Sequence, residues 1–168
     1  MLNYLPRSPR LNTHASHRIV IVASRYNEEF VEPMVVNALQ EIHAIGPMIK
    51  TEVIHAPGSF EIPFTVRQVI ERRKPDGIIC LGVILRGETG HADLIAASVS
   101  DMLCRLSVEF LIPVIHGVLL LNSREEAQVR CLGEEYNRGI EAARAAVEII
   151  RTARDLKTMK RGIPPRRS

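Results

Sequence analysis

Aromatic residues are scarce in this sequence: they make up 4% of its 168 residues, and tryptophan is absent. We therefore expect an aliphatic, alanine-rich core, and the hydrophobic fraction of 46% is typical of globular proteins. A single domain of this length can bury a sizeable core without disulfides or metals. No apolar run approaches membrane-spanning length, and the N-terminus lacks the apolar stretch of a signal peptide, so we expect no membrane partner.

Cysteine is also sparse. Cys80, Cys104 and Cys131 lie far apart, and no CxxC or Cys/His spacing of the kind found in metal sites occurs. Unpaired thiols are typical of a reducing compartment. We therefore expect free cysteines, no bound metal and a cytoplasmic location.

Acidic residues are missing from both ends of the chain. Residues 1–17 and 157–168 together carry seven basic residues, so the remaining 15 basic and 19 acidic residues give the body a net charge of −4. The high overall pI therefore reflects two tails rather than a nucleic-acid-binding face, and we expect no nucleic-acid partner. The C-terminal tail could contact RNA or another anionic surface. However, Pro164 and Pro165 oppose a helix there, which favours a solvated, disordered tail.

Between the tails, short apolar runs alternate with helical patterns. Strands are predicted at 18–24, 49–55, 77–82 (with Leu85 as an extension) and 112–121. Helices are predicted at 30–42, 60–70, 91–108, 124–132 and 134–156. The first has Pro33 in its first turn and Gly46-Pro47 after its end, and the second is capped by Ser59. Four strand–helix repeats predict a single-domain, three-layer α/β/α sandwich over 18–156 with a four-stranded parallel sheet, preceded by an irregular arm.

Polar residues concentrate where the predicted strands end. In a parallel α/β sheet, ligands bind beyond the carboxyl ends of the strands. The loops after all four strands should therefore meet at one edge and form a site. These polar segments are 25–27, 57–61, 86–91 and the region from His116 onward.

The segment RGETGH at 86–91 carries most of this chemistry. Its glycines permit close approach of the backbone to a ligand, and unpaired amides at a helix start favour an anion. A histidine at the position of His91 suits proton transfer near neutral pH. The structural alternative is that Thr89 caps the helix and His91 is an ordinary surface residue. The segment matches neither a Walker loop nor a dinucleotide-binding fingerprint.

Three further residues have both a functional and a structural interpretation. Glu61 could accept hydrogen bonds from ligand hydroxyl groups, or it could compensate the dipole of the helix that follows. Tyr26 could stack on a flat heterocycle, or it could cover the sheet edge. Arg130 could bind a phosphate through paired hydrogen bonds, or it could be a solvated surface charge.

Taken together and in order, these segments resemble the 6,7-dimethyl-8-ribityllumazine synthase family of riboflavin biosynthesis. The matching motifs are RYN at 25–27, PGSFEIP at 57–63, LGVILRGETGHADLI at 81–95, PVIHGVL at 113–119, EEAQVR at 125–130 and NRG at 137–139. The resemblance covers 18–156. It implies a flavodoxin-like subunit that forms a homo-oligomer, a pentamer at least, with active sites between subunits.

The resemblance also implies a transferase activity that needs no cofactor or metal. The enzyme would condense 5-amino-6-(D-ribitylamino)uracil with 3,4-dihydroxy-2-butanone 4-phosphate and release phosphate and water. His91 matches the proton-transfer residue of the family. The implied substrate-binding positions are Tyr26 for stacking on the pyrimidine; Ser59, Phe60 and Glu61 for the ribityl chain; Val83, Ile84 and Leu85 for main-chain contacts to the pyrimidine; Glu88, Thr89 and Arg130 for the phosphate; and His116 in a wall from the neighbouring subunit.

Several positions depart from the family pattern. His116 stands where the family usually has Phe, and Gly90 stands where it often has Thr. Pro6 and Pro9 oppose the N-terminal strand that many members add to a neighbour's sheet, which favours a pentamer over a closed shell. The connection at 131–137 carries no insertion, which permits a shell.

The His116 replacement also supports an alternative function. A paralogue could bind a flavin or lumazine without turnover, or could form a shell that has kept the pocket. A third hypothesis is a different phosphate-binding α/β enzyme, which the combination of Glu61 and His91 argues against.

Overall fold

A four-stranded, all-parallel sheet lies at the centre of the molecule. The computed structural model describes residues 7–9, 17–133 and 137–159. The strands are β1 (Arg18–Ser24), β2 (Lys50–Ala56), β3 (Gly77–Leu85) and β4 (Val114–Leu121), in the order β2-β1-β3-β4. The predicted single-domain α/β fold with a four-stranded parallel sheet, flavodoxin-like in its layers, is confirmed.

Helices cover both faces of this sheet. They are α1 (Glu28–Ile45), α2 (Ile62–Arg73), α3 (His91–Phe110), α4 (Arg124–Cys131) and α5 (Arg138–Thr158). Alternate side chains of β1 point to opposite faces: Ile19 and Ile21 pack with α1, α4 and α5, whereas Val20 and Val22 pack with α2 and α3. Apart from Phe30 and Met34, the largest fully buried side chains of the described residues are Ile, Leu and Val. The core is therefore aliphatic, as the composition predicted.

Two predictions about helix starts are wrong. Helix α1 begins at Glu28, so Pro33 is its sixth residue and lies beyond the first turn. Pro33 lacks the N–H that would bond to the Glu29 carbonyl, and α1 continues past the loss of this one hydrogen bond. Ser59 does not cap α2. It opens a single 3₁₀ turn, and α2 starts only at Ile62, where Pro63 supplies a backbone angle suited to a helix start.

The boundaries of α5 also differ from the prediction. The helix begins at Arg138, because the side chain of Asn137 caps it by accepting a hydrogen bond from the Gly139 N–H at 2.8 Å. It ends at Thr158, two residues beyond the predicted end. Residues 134–136, most of the N-terminal arm and the tail from 160 onward lie outside the described residues. In the described part of the chain, no helix combines the length and apolarity needed to cross a membrane.

Candidate active site

A cleft of about 810 Å³ opens at the carboxyl edge of the sheet, and residues that follow all four strands line it. Its volume is in the range of pockets that hold small organic ligands. Nine of the twelve predicted site residues line this one cleft: Tyr26, Ser59, Phe60, Glu61, Val83, Ile84, Leu85, Thr89 and His91. The loops after the strands thus meet at one edge, as expected for a parallel α/β sheet.

The corner after β1 presents an aromatic ring to the cleft. Backbone pairing with β2 continues beyond the strand, because the Arg25 N–H donates to the Ala56 carbonyl at 2.9 Å and the Tyr26 N–H to the Pro57 carbonyl at 3.1 Å. Tyr26 nevertheless remains 73% exposed. Its ring therefore covers little of the sheet edge and is available to stack on a flat ligand.

Asn27 holds this corner against the end of β3. Its backbone is left-handed, with φ of 60°, and its side-chain Nδ2 donates a hydrogen bond to the Val83 carbonyl at 2.8 Å. Asparagine tolerates the left-handed region better than most residues. One side chain therefore joins the loop that carries Tyr26 to the strand end that lines the cleft.

Replacing Asn27 separates these two contributions to stability. Asn27→Ala loses the hydrogen bond and also places alanine, which is strained in the left-handed region, at a positive φ. We therefore expect it to lower the free energy of unfolding by about 2 kcal/mol. Asn27→Gly loses only the hydrogen bond, and we expect about 1 kcal/mol. Urea denaturation at fixed protein concentration measures both. An alanine variant at least as stable as the glycine variant would contradict the backbone argument.

The turn between β2 and α2 brings a carboxylate to the cleft. An added Cβ at Gly58 would lie 2.9 Å from the Glu61 Oε2, so the carboxylate lies over the Gly58 backbone. Glu61 is exposed, while Ser59 beside it is buried. The Glu61 carboxylate can therefore accept hydrogen bonds from hydroxyl groups of a bound ligand.

Arg86 anchors the loop that follows β3. Its guanidinium donates to the Asp93 carboxylate at 2.6 Å and to the Asn122 side-chain oxygen at 2.6 Å, and its N–H donates to the Leu121 carbonyl at 2.9 Å. The hydrogen bond from Arg86 lowers the pKa of the Asp93 carboxyl. The start of the loop is thereby tied to α3 and to the end of β4, while residues 87–90 stay exposed.

Thr89, which the structural alternative made the cap of α3, does not cap this helix. The Leu94 N–H donates to the Gly90 carbonyl at 3.3 Å, which makes Gly90 the cap residue, and glycine has no side chain to satisfy the first amides. An added Cβ at Gly87 or Gly90 would meet no atom within 4 Å. The packing of the chain itself therefore does not require glycine at either position. The first residue of α3 is His91, which is exposed and lines the cleft.

Glu88, His116 and Arg130 do not line this cleft. Glu88 is exposed in the loop, and Arg130 lies in the last turn of α4. His116 lies on β4, where its Nε2 is 2.8 Å from the Ser100 hydroxyl. The same hydroxyl lies 2.7 Å from the Ala96 carbonyl oxygen, to which it can donate a hydrogen bond. Burial lowers the pKa of this imidazole, which favours its neutral form.

Two polar residues of the cleft were not predicted from the sequence as site residues. Asn27 and Arg124 both line it. The RYN motif already contained Asn27, and its place after a strand was the available signal. Arg124 lies next to two glutamates at the start of a short helix, a pattern typical of solvated surface charge.

These features define a class of protein. The chain is a parallel α/β protein whose carboxyl-edge loops form a cleft with an exposed aromatic ring, a carboxylate, an imidazole and an arginine. Among the described residues, no group of three or more His, Cys, Asp or Glu side chains is arranged to hold a metal ion. Such a cleft is suited to an enzyme that acts on polar organic molecules.

Comparison with known proteins identifies the family within this class. The family model described as 6,7-dimethyl-8-ribityllumazine synthase matches residues 16–154. The synthase of that name from Leuconostoc mesenteroides is 30% identical over 152 residues, 89% of this chain and 97% of that protein. The synthase from Coxiella burnetii is 30% identical over 86% of this chain and 97% of its own length. The synthase from Gemmatimonas aurantiaca is 34% identical over 79% of this chain and 82% of its own length. The chain belongs to the 6,7-dimethyl-8-ribityllumazine synthase family. Members of this family are enzymes of riboflavin biosynthesis.

Proposed function

We propose that the protein condenses 5-amino-6-(D-ribitylamino)uracil with 3,4-dihydroxy-2-butanone 4-phosphate to give 6,7-dimethyl-8-ribityllumazine, with release of phosphate and water. The observation that carries this proposal is the meeting of Tyr26, Glu61 and His91 in one cleft of about 810 Å³. These groups supply stacking, hydroxyl recognition and proton transfer, which are the three functions that the two substrates require.

The larger substrate, the ribitylated pyrimidine, binds to the aromatic ring, the main-chain groups and the carboxylate of the cleft. Its flat pyrimidine stacks on the exposed Tyr26 ring, and main-chain groups of 83–85 reach its polar edge. Its ribityl chain carries several hydroxyl groups, which donate hydrogen bonds to the Glu61 carboxylate. Ser59 and Phe60 flank this contact in the same turn.

The smaller substrate carries a phosphate, which the loop at 87–90 is suited to bind. Its exposed backbone leads into the start of α3, where unpaired amides and the helix dipole favour an anion. The open space around Gly87 and Gly90 allows a phosphate to approach the backbone closely. We assign Glu88 and Thr89 to this loop as residues that border the phosphate.

His91 transfers protons between the two substrates. The reaction begins when an amine of the pyrimidine attacks the ketone carbonyl. It continues through loss of water, loss of phosphate, and ring closure with loss of a second water. Each step moves a proton to or from nitrogen, oxygen or carbon, and a single imidazole can accept and return it. Holding both substrates in register supplies a further part of the acceleration.

We propose that the active enzyme is a homo-oligomer, a pentamer at least, with sites between subunits. Phe60, Phe64 and Met102 are 60%, 71% and 45% exposed and line an apolar groove between α2 and α3. Phe60 also lines the cleft, so a neighbour that covers the groove would reach the site. His116 and Arg130 lie outside the cleft of their own subunit, and they can act in catalysis only if they enter a neighbour's cleft.

Product formation tests the proposal directly. Purified protein at micromolar concentration, mixed with both substrates, is expected to yield a new fluorescent lumazine, and omission of either substrate should abolish it. Absence of product would overturn the proposal. Tight binding of riboflavin in the same preparation, with no turnover, would instead identify a non-catalytic flavin- or lumazine-binding protein. A mass measurement in solution gives the number of subunits.

A further inference from the structure

Arg124 contributes a cation to the cleft from the subunit's own chain. It is the first residue of α4 and lines the cleft together with Gly87, Thr89 and His91. Among the described residues that line the cleft, it is the single lysine or arginine. Its charge therefore adds to the attraction that the amides at the start of α3 offer to an anionic group.

Two contacts hold the Arg124 guanidinium in place. Its Nη2 donates to the Glu29 Oε1 at 2.9 Å, and its guanidinium carbon lies 5.1 Å from the centre of the Phe30 ring. Both partners lie in the first turn of α1. A guanidinium carries five N–H donors, so the contact with one carboxylate oxygen leaves donors for a second anion. The side chain is 60% exposed, which keeps it accessible from the cleft.

The same corner of the fold also positions the loop at 87–90. The Arg86 guanidinium bonds to Asn122, which is two residues before Arg124, and the Arg86 N–H bonds to Leu121 at the end of β4. The chain segment that carries Arg124 is therefore fastened to the start of the loop that presents the exposed backbone at Gly87. A planar guanidinium and exposed backbone amides that line the same cleft suit a group with several oxygen acceptors.

We propose that Arg124 binds the phosphate of the phosphorylated substrate and so determines affinity for that substrate rather than for the pyrimidine. This inference rests on the proposed function for the identity of the substrate. The anion contact itself rests on the position of Arg124 in the cleft. Glu29 and Phe30 preset the direction of the guanidinium, and the phosphate completes its hydrogen bonds.

Calorimetric titration with inorganic phosphate tests the contact without turnover. Arg124→Gln is expected to weaken phosphate binding by about tenfold, because charged hydrogen bonds to phosphate are lost. Arg105→Gln is the matched control: Arg105 is exposed on α3, pairs with Asp101 and lies outside the cleft lining, so binding should be unchanged. In steady-state kinetics, Arg124→Gln should raise KM for the phosphorylated ketone by a similar factor and leave KM for the pyrimidine within about twofold.

A second variant separates the contact of Arg124 with phosphate from its ion pair with Glu29. Glu29→Gln removes the negative charge of the ion pair but keeps the Arg124 charge and a side-chain oxygen that can accept the same hydrogen bond, so phosphate should bind as tightly as in the wild type or more tightly. If Glu29→Gln weakens phosphate binding as much as Arg124→Gln, the effect belongs to the ion pair and the proposal is overturned. Unchanged phosphate affinity in Arg124→Gln, with a loss in Arg130→Gln, would also overturn it. Failure of the enzyme to form lumazine would refute the proposed function and leave the phosphate titration as an independent test.

Discussion

Replacing His91 with alanine is expected to lower kcat for lumazine formation by about 10²- to 10³-fold, the usual contribution of a general acid–base group. His91 is exposed at the start of α3 and lines the cleft beside Thr89, where proton donors and acceptors of both substrates would converge. In this proposal it serves several proton transfers, so its loss slows more than one step. Initial rates, followed by product fluorescence at saturating substrate, measure the effect.

The fold should survive this replacement, because an exposed side chain contributes little packing. Calorimetry should show phosphate affinity within a few-fold of the wild type, which would separate lost proton transfer from lost binding. His43→Ala is the matched control: His43 is exposed in the last turn of α1 and lies outside the cleft lining, so kcat should not change. A kcat for His91→Ala within about twofold of the wild type would refute the catalytic assignment.

The largest expected loss of stability follows from Gly139→Ala. Near the start of α5 the helix approaches α1 so closely that an added Cβ at Gly139 would lie 2.0 Å from the Met34 carbonyl oxygen. Because the obstructing atom belongs to the backbone, a side-chain rotation cannot relieve the clash. We expect a loss of about 3 kcal/mol or more in unfolding free energy, as for other overpacked cores.

The close approach is rigid because Asn137 fixes the entry to α5. Its buried side chain accepts from the Gly139 N–H at 2.8 Å and donates to the Cys131 carbonyl at 2.6 Å. Urea denaturation at one protein concentration measures the loss, since assembly makes stability depend on concentration. Gly87→Ala is the control, because its Cβ would meet no atom within 4 Å, and we expect a change below about 0.5 kcal/mol. Equal stability of the two variants would contradict the close packing of α1 and α5.

The location of the site could be predicted from the sequence because it depends on local patterns. Apolar runs mark the strands, and a polar segment after each run marks the carboxyl edge of the sheet. Tyr26, Glu61 and His91 each follow a predicted strand, and the structure brings all three to one cleft. Their proximity required that the strands be parallel and that β1, β2 and β3 be neighbours in the sheet.

Details at the helix starts could not be predicted in the same way. Ser59 and Thr89 are favourable capping residues by type, yet neither caps the helix that follows it. At α2 the helix start is displaced to Ile62 by a 3₁₀ turn, and at α3 the first hydrogen bond runs back to Gly90. The competing hydrogen bonds of the backbone decided these positions.

The sequence by itself determined the succession of strands and helices along the chain, the aliphatic core and the sheet edge at which the site lies, because each follows from composition or from the spacing of neighbouring residues. The tertiary structure alone decided which distant groups act together. Asn27 bonds to a carbonyl 56 residues away, and Arg124 pairs with a carboxylate 95 residues away. Such contacts depend on how helices and strands pack against one another, and no local periodicity encodes that packing.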